Sequence, residues 1–160
     1  MAQGTHDGFA TLGEIAAYLR VSARRVPGVL EARGITPTPY NRVRWSELWR
    51  MLWRIDPAQI PPEYLRAMYA SLLTNAEVAA RVGCDPRTIR DAGNVSPRQK
   101  GIPEHLDLGP STRRHHPVRI EAWLNREPCP EFLVPRAPRA NGLLGLTQRR
   151  NGEGCSYRKM

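Results

Sequence analysis

The chain has 160 residues, with 24 Lys or Arg against 15 Asp or Glu and a formal net charge of +9. That length holds one ordinary domain or two small ones, and that charge points to an anionic partner. No apolar run approaches a membrane span, MAQGTHDGF lacks both parts of a secretory signal, and Cys84, Cys129 and Cys155 are too scattered for a disulfide framework or a zinc site, so a reducing cytoplasm is expected.

Residues 1–8 are polar and expected to be disordered. Thr11 is then an N-cap with Glu14 three residues on, the capping-box arrangement that satisfies two orphan amides reciprocally. Ile15, Ala16 and Leu19 form a buried stripe at helical spacing, and the Ala16-Ala17 pair allows a second helix to cross closely. Arg20-Val21 makes a turn, and Ser22 caps a second helix expected from Ala23 toward Arg33. Pro27 would cost roughly 3 kcal/mol deep inside a helix, so this helix either starts late or bends there. Gly34 suits its C-terminus. ITPTPYNRVR reads as a short hairpin turning at Tyr40-Asn41, with Arg42 and Arg44 alternating on the returning strand. A third helix follows with Trp45, Trp49, Leu52 and Trp53 on one face. These tryptophans could form a base-stacking platform, but their i, i+4, i+8 spacing favours core packing.

Residues 56–73 read as a proline-punctuated linker followed by an amphipathic connecting helix, PEYLRAMYASLL. At Thr74 the opening pattern returns. A shift of 63 residues lays Thr74, Glu77, Val78, Ala79, Val82, Asp85, Arg87 and Ile89 over Thr11, Glu14, Ile15, Ala16, Leu19, Ser22, Arg24 and Val26 without a gap. Here Thr74 and Glu77 repeat the capping box, Cys84 sits in the turn, and Asp85-Pro86 is an N-cap followed by proline at the first helical position. Gly93 ends the second helix early, residues 96–117 make a longer hairpin, and 118–124 close the unit. His116, Ile120, Trp123 and Leu124 match Trp45, Trp49, Leu52 and Trp53 at an offset of 71. From Arg126 the chain turns rich in Pro, Gly and Arg and is expected to be a flexible basic tail, with apolar islands at 132–134 and 143–146 that either dock elsewhere or fold back.

Helix, tight turn, capped helix with arginine, hairpin and closing helix, given twice, resembles the winged helix-turn-helix modules of the MerR and phage-excisionase group; small-terminase recognition domains share the form. The resemblance covers roughly residues 9–54 and 73–125. Pro27 and the long second hairpin depart from the pattern, and no sustained heptads supply the coiled coil of MerR-type regulators. It implies a mainly α fold: two tandem winged helix-turn-helix domains, 9–55 and 74–125, joined by a linker and connecting helix, 56–73, with the tail at 126–160.

Such a chain is expected to bind double-stranded DNA. Base reading falls to Arg24, Arg25, Arg87, Thr88 and Arg90, with Ser22 at the helix start. Phosphate contacts fall to Arg42, Arg44, Lys100, Arg113 and Arg114 and to amides at the starts of the second helices, with His115 a further DNA-contact candidate. Two joined readers suggest direct-repeat half-sites about one helical turn, roughly 34–36 Å, apart. The role expected is a transcription regulator or an excisionase-like recombination directionality factor of a phage or mobile element. Contact with an integrase or RNA polymerase through the tail and cooperative assembly on DNA go with it. A small-terminase-like packaging subunit and a winged-helix protein adaptor are the alternatives. No catalytic constellation, phosphate-cradling glycine loop or metal spacing stands out, and His115-His116 has no ligand partner near it, so neither an enzyme nor a cofactor is expected.

Overall fold

The computed structural model describes residues 8–94 and 102–134. They form a mainly helical chain with two small antiparallel sheets. In the first half, β1 (Phe9–Thr11) leads into α1 (Leu12–Leu19). A single 3-10 turn (Ala23–Arg25) then runs into α2 (Val26–Ala32). After a turn, β2 (Arg42–Arg44) pairs back on β1, Ala10 opposite Val43, and α3 (Trp45–Trp53) closes the unit. In the second half, β3 (Leu73–Thr74), α5 (Asn75–Val82) and α6 (Pro86–Asn94) repeat that order. The hairpin of β4 (Leu106–Asp107) and β5 (Arg113–His115) then leads into α7 (Pro117–Leu124). The second sheet has the order β3-β5-β4.

Local chemistry explains the first unit. Thr11 Oγ1 accepts from the Glu14 amide at 3.2 Å, and Glu14 accepts from the Thr11 amide at 3.1 Å, so the capping box is complete. Pro27 resolves as a late start. It stands in the first turn of α2, where the amide it lacks would have had no helical partner. At the other end Gly34 lies at φ +70, its amide donating to Glu31 and that of Ile35 to Leu30, with Leu30 and Ile35 both buried. That is a Schellman closure. Ser22, expected to cap this segment through its side chain, makes no side-chain cap bond; only its carbonyl is used, by the Arg25 amide at 3.0 Å.

The tryptophans are core. Trp49 is fully buried and Trp53 nearly so. Tyr18 and Tyr69 each meet Trp45 edge-on at 5.3 Å, and Tyr69 meets Trp49 at 5.0 Å, the arrangement ring quadrupoles favour. Trp53 Nε1 donates to the Tyr18 hydroxyl at 3.2 Å.

Two expectations are corrected. The connecting helix is only a 3-10 turn (Pro62–Tyr64) and one α-turn, α4 (Leu65–Met68). Tyr69 caps that turn and packs on the tryptophans, and the Leu72 amide donates to the Tyr18 carbonyl at 2.9 Å before β3 begins. The second correction concerns the insertion in the longer hairpin. The strands pair Thr11 with Arg42 but Thr74 with Arg114, and the closing helices start at Trp45 and Pro117, an offset of 72 in both where the closing-helix match in sequence is at 71.

The larger apolar core belongs to both halves. Around Ile15, Leu19, Leu30, Leu48, Trp49 and Trp53 it gathers Met68 and Leu72 from the linker, Leu106, Leu108 and Val118 from the second unit, and Leu133. The smaller core holds Leu73, Val78, Ala79, Ile89, Ala92, Ile102 and Ile120. Residues 126–134, assigned from sequence to a flexible tail, are folded against the body. Leu133 is buried in a 3-10 turn (Glu131–Leu133), and its carbonyl accepts from the buried Arg119 guanidinium. The remainder of the expected tail, 135–160, lies outside the described residues. Among the described residues no helix is long and apolar enough to cross a membrane.

Candidate nucleic-acid interface

The helix pair α5–α6 is built by short-range chemistry. Thr74 Oγ1 accepts from the Glu77 amide at 3.2 Å. Gly83 ends α5 at φ +82, where its amide and that of Cys84 both reach the Ala79 carbonyl, at 2.8 and 3.0 Å. Asp85 Oδ1 then accepts from the Arg87 amide at 2.7 Å, and Pro86 occupies the first helical position. With the start fixed, the period of the helix buries Ile89 and Ala92 and leaves Arg87, Thr88 and Arg90 exposed on its first two turns.

Beside this helix runs β5. Arg113 Nη1 donates to the Arg90 carbonyl at 2.8 Å, tying hairpin to helix. Between them lies a cleft of about 520 Å³, lined by Asn75, Arg90, Asp107, Gly109, Ser111 and Arg113. The hairpin turn needs Gly109 at φ +129, and a Cβ there would stand 3.3 Å from Arg25 Nη2.

The corresponding arginines of the first unit are placed differently. Arg24 is exposed. Arg25, expected to read bases, turns to the second hairpin: Nη1 donates to Thr112 Oγ1 at 3.0 Å and Nη2 to the Leu108 carbonyl at 3.5 Å. Arg33, at the far end of α2, donates to the Asp107 carbonyl. Arg114, expected on phosphate, donates instead to the last carbonyls of α1, Leu19 at 2.9 Å and Arg20 at 2.7 Å. A guanidinium on C-terminal carbonyls is favourable in both hydrogen bonding and helix-dipole terms. Arg20 in turn pairs with Glu77. Arg42 and Arg44 flank the buried Val43 on an exposed strand, with Arg44 over the Phe9 ring at 5.1 Å.

His115 is the clearest correction among the site residues. It is 2 % exposed, its Nε2 sits 2.7 Å from Asn75 Oδ1, and it does not face solvent. The return to β3 puts Leu73 opposite His115, so the alternation that turns Arg114 out of the core turns His115 in. Burial, and then the charges of His105, Arg113 and Arg114, lower its pKa to about 4. His116 is lowered to about 3 by burial and then by Arg119. Lys100 lies outside the described residues. Sequence reading missed Arg20 and Arg33, and it gave Glu77 only a capping role; all three make contacts between the two halves that no local pattern encodes, while Asn75, also missed, meets His115 across its own sheet.

The junction is electrostatically crowded. Burial and the neighbouring Arg25 and Arg20 push the Arg114 pKa down, with Glu77 as the opposing charge. Arg24, Arg87 and Arg90 are exposed. Among the described residues no cluster of three or more His, Cys, Asp or Glu could hold a metal ion. Comparison with family models, with curated proteins and with solved structures finds no match to this chain.

Proposed function

We propose that this chain binds double-stranded DNA through two winged helix-turn-helix units fixed to one another. The observation that carries the reading is the face of α6. A helix start locked by Asp85, Pro86 and Gly83 holds Arg87, Thr88 and Arg90 outward, and Arg113 borders the cleft beside them. Arginine forks on the first turns of such a helix suit guanine edges and phosphates. Arg20, Arg25 and Arg114 lie close together, and a polyanion would meet that concentration of positive charge.

On this reading the units divide the work. α6, and in the first unit the exposed Arg24, read bases, with Arg113, Arg42 and Arg44 on phosphate, while Arg25, Arg33 and Arg114 hold the two readers at a fixed separation. The role is that of a cytoplasmic regulator or excisionase-like factor of a phage or mobile element, acting on directly repeated half-sites. The test is selection of bound fragments from the source genome, then gel shift of the winners across a salt series. One enriched site, with affinity falling steeply as salt rises, supports the proposal. Weak binding without sequence preference overturns it and favours a protein-docking role for the same units.

A further inference from the structure

One surface runs against the charge of the rest. Where the chain folds back after α7, two depressions of about 520 and 230 Å³ adjoin at Tyr64 and Pro130. Their floor is aromatic and proline-rich, with Phe132 against Tyr64 at 5.1 Å and Pro61 and Pro128 beside them. Their charged lining residues are all carboxylates, namely Glu121, Glu127 and Glu131, each exposed. The clefts elsewhere carry arginines beside their carboxylates, Arg90 and Arg113 with Asp107 in one and Arg33, Arg54 and Arg119 with Glu104 and Asp107 in the other. The groove is firmly built. The Glu127 amide donates to the Ala122 carbonyl at 2.8 Å, and Arg119 holds the Leu133 carbonyl.

The 26 residues beyond Val134 begin at the edge of this groove and carry six cations, Arg136, Arg139, Arg149, Arg150, Arg158 and Lys159, against Glu153. Six residues, 135–140, separate Val134 from Asn141-Gly142, a strong turn pair. Beyond it Leu143, Leu144 and Leu146 precede Arg149-Arg150. A six-residue arm extends about 20 Å, so a chain reversed at that turn brings the leucines and the arginine pair back over the groove.

We propose that the groove is a docking site for residues 143–150 of the same chain. The leucines cover Tyr64, Phe132 and the prolines, and Arg149 and Arg150 meet Glu127 and Glu131. Tethering makes this cheap, since a short linker sets a local concentration on the order of millimolar, and weak contacts then suffice.

The experiment uses the full chain, labelled with ¹⁵N and free of nucleic acid, over a hundredfold range of concentration. R149E/R150E changes no residue of the groove, yet should shift the amide resonances of Tyr64, Glu127, Glu131 and Phe132. E127R/E131R should shift the same region, and combining all four changes should restore the wild-type positions. The wild-type signals should be independent of concentration, and 1 M salt should move them toward those of R149E/R150E. Unchanged groove signals in R149E/R150E overturn the proposal. So does perturbation that grows with concentration, which would make a second copy the occupant. Because no DNA is present, failure here and failure of the gel shift are separate results.

Discussion

In the first unit Glu14 turns back on its own helix; in the second, Glu77 at the same place in the repeat reaches across to Arg20. The same divergence recurs along both copies. Arg24 and Arg87 are equivalent and both exposed, but their neighbours Arg25 and Thr88 are not alike: one is spent on Thr112 and Leu108, the other faces solvent. The C-terminal turn of the first helix uses Arg20 at φ 57 where the second uses Gly83 at φ 82. The first unit contributes an aromatic core and bracing arginines, the second a smaller core and an open helix face. A repeat read from sequence therefore specifies equivalent backbones and not equivalent duties. Long-range partners decide those.

The sharpest way to break this contrast is at the shared core. Trp49→Ala should cost about 3–5 kcal/mol, and because Leu106, Leu108, Val118 and Leu133 pack into the same core, thermal unfolding should remain one transition. Two separate transitions would show that the units are independent.

Acid should act mainly through the second unit. His115 and His116 are neutral when folded, with pKa about 4 and about 3, whereas unfolded histidine titrates near 6.5. The unfolded chain thus binds protons first. Stability is full above about pH 6.5 and falls as pH drops toward the folded values, at up to about 1.4 kcal/mol per pH unit for each group. His116→Asn keeps a side chain able to accept from the Val118 amide and cannot titrate, so urea midpoints for this variant should fall less steeply between pH 6 and 4.

Arg114→Ala removes charge-assisted bonds to the end of α1 and should cost about 1.5–3 kcal/mol in chemical denaturation. Arg87→Ala and Arg90→Ala should leave the melting temperature unchanged and lower affinity for the selected DNA site about ten- to a hundredfold each. If Arg25→Ala, which loosens the brace, instead weakens DNA binding as much without loss of stability, the division of labour fails. Smallest is Gly83→Ala, about 1 kcal/mol less stable because alanine resists the left-handed turn that Arg20 tolerates in the other copy.

What sequence made legible was local. The Thr11–Glu14 box, the Asp85-Pro86 start, the Gly34 closure and the buried tryptophan face each follow from a few neighbouring residues. What it concealed was decided across the fold. The amphipathic pattern of PEYLRAMYASLL favours a long helix, yet Tyr69 and Leu72 are needed elsewhere and only one α-turn survives. His115 follows two exposed-looking arginines in sequence, and only the pairing of Leu73 with it shows that it takes the inward face. The candidate site was half readable for the same reason. Arg87, Thr88 and Arg90 owe their exposure to their own helix, whereas Arg25 and Arg114 owe their engagement to a partner more than eighty residues away.

Leu133 closing the larger core has a consequence for how the molecule is made. A ribosome delivers chains from the N-terminus, and ordinarily a leading domain folds before the next emerges. Here the leading unit cannot complete its interior until Leu106, Leu108, Val118 and finally Leu133 have left the exit tunnel. Nascent chains would carry Trp49 and Trp53 in an unfinished pocket through most of synthesis, which makes the interval before residue 133 the one in which this protein most needs a chaperone.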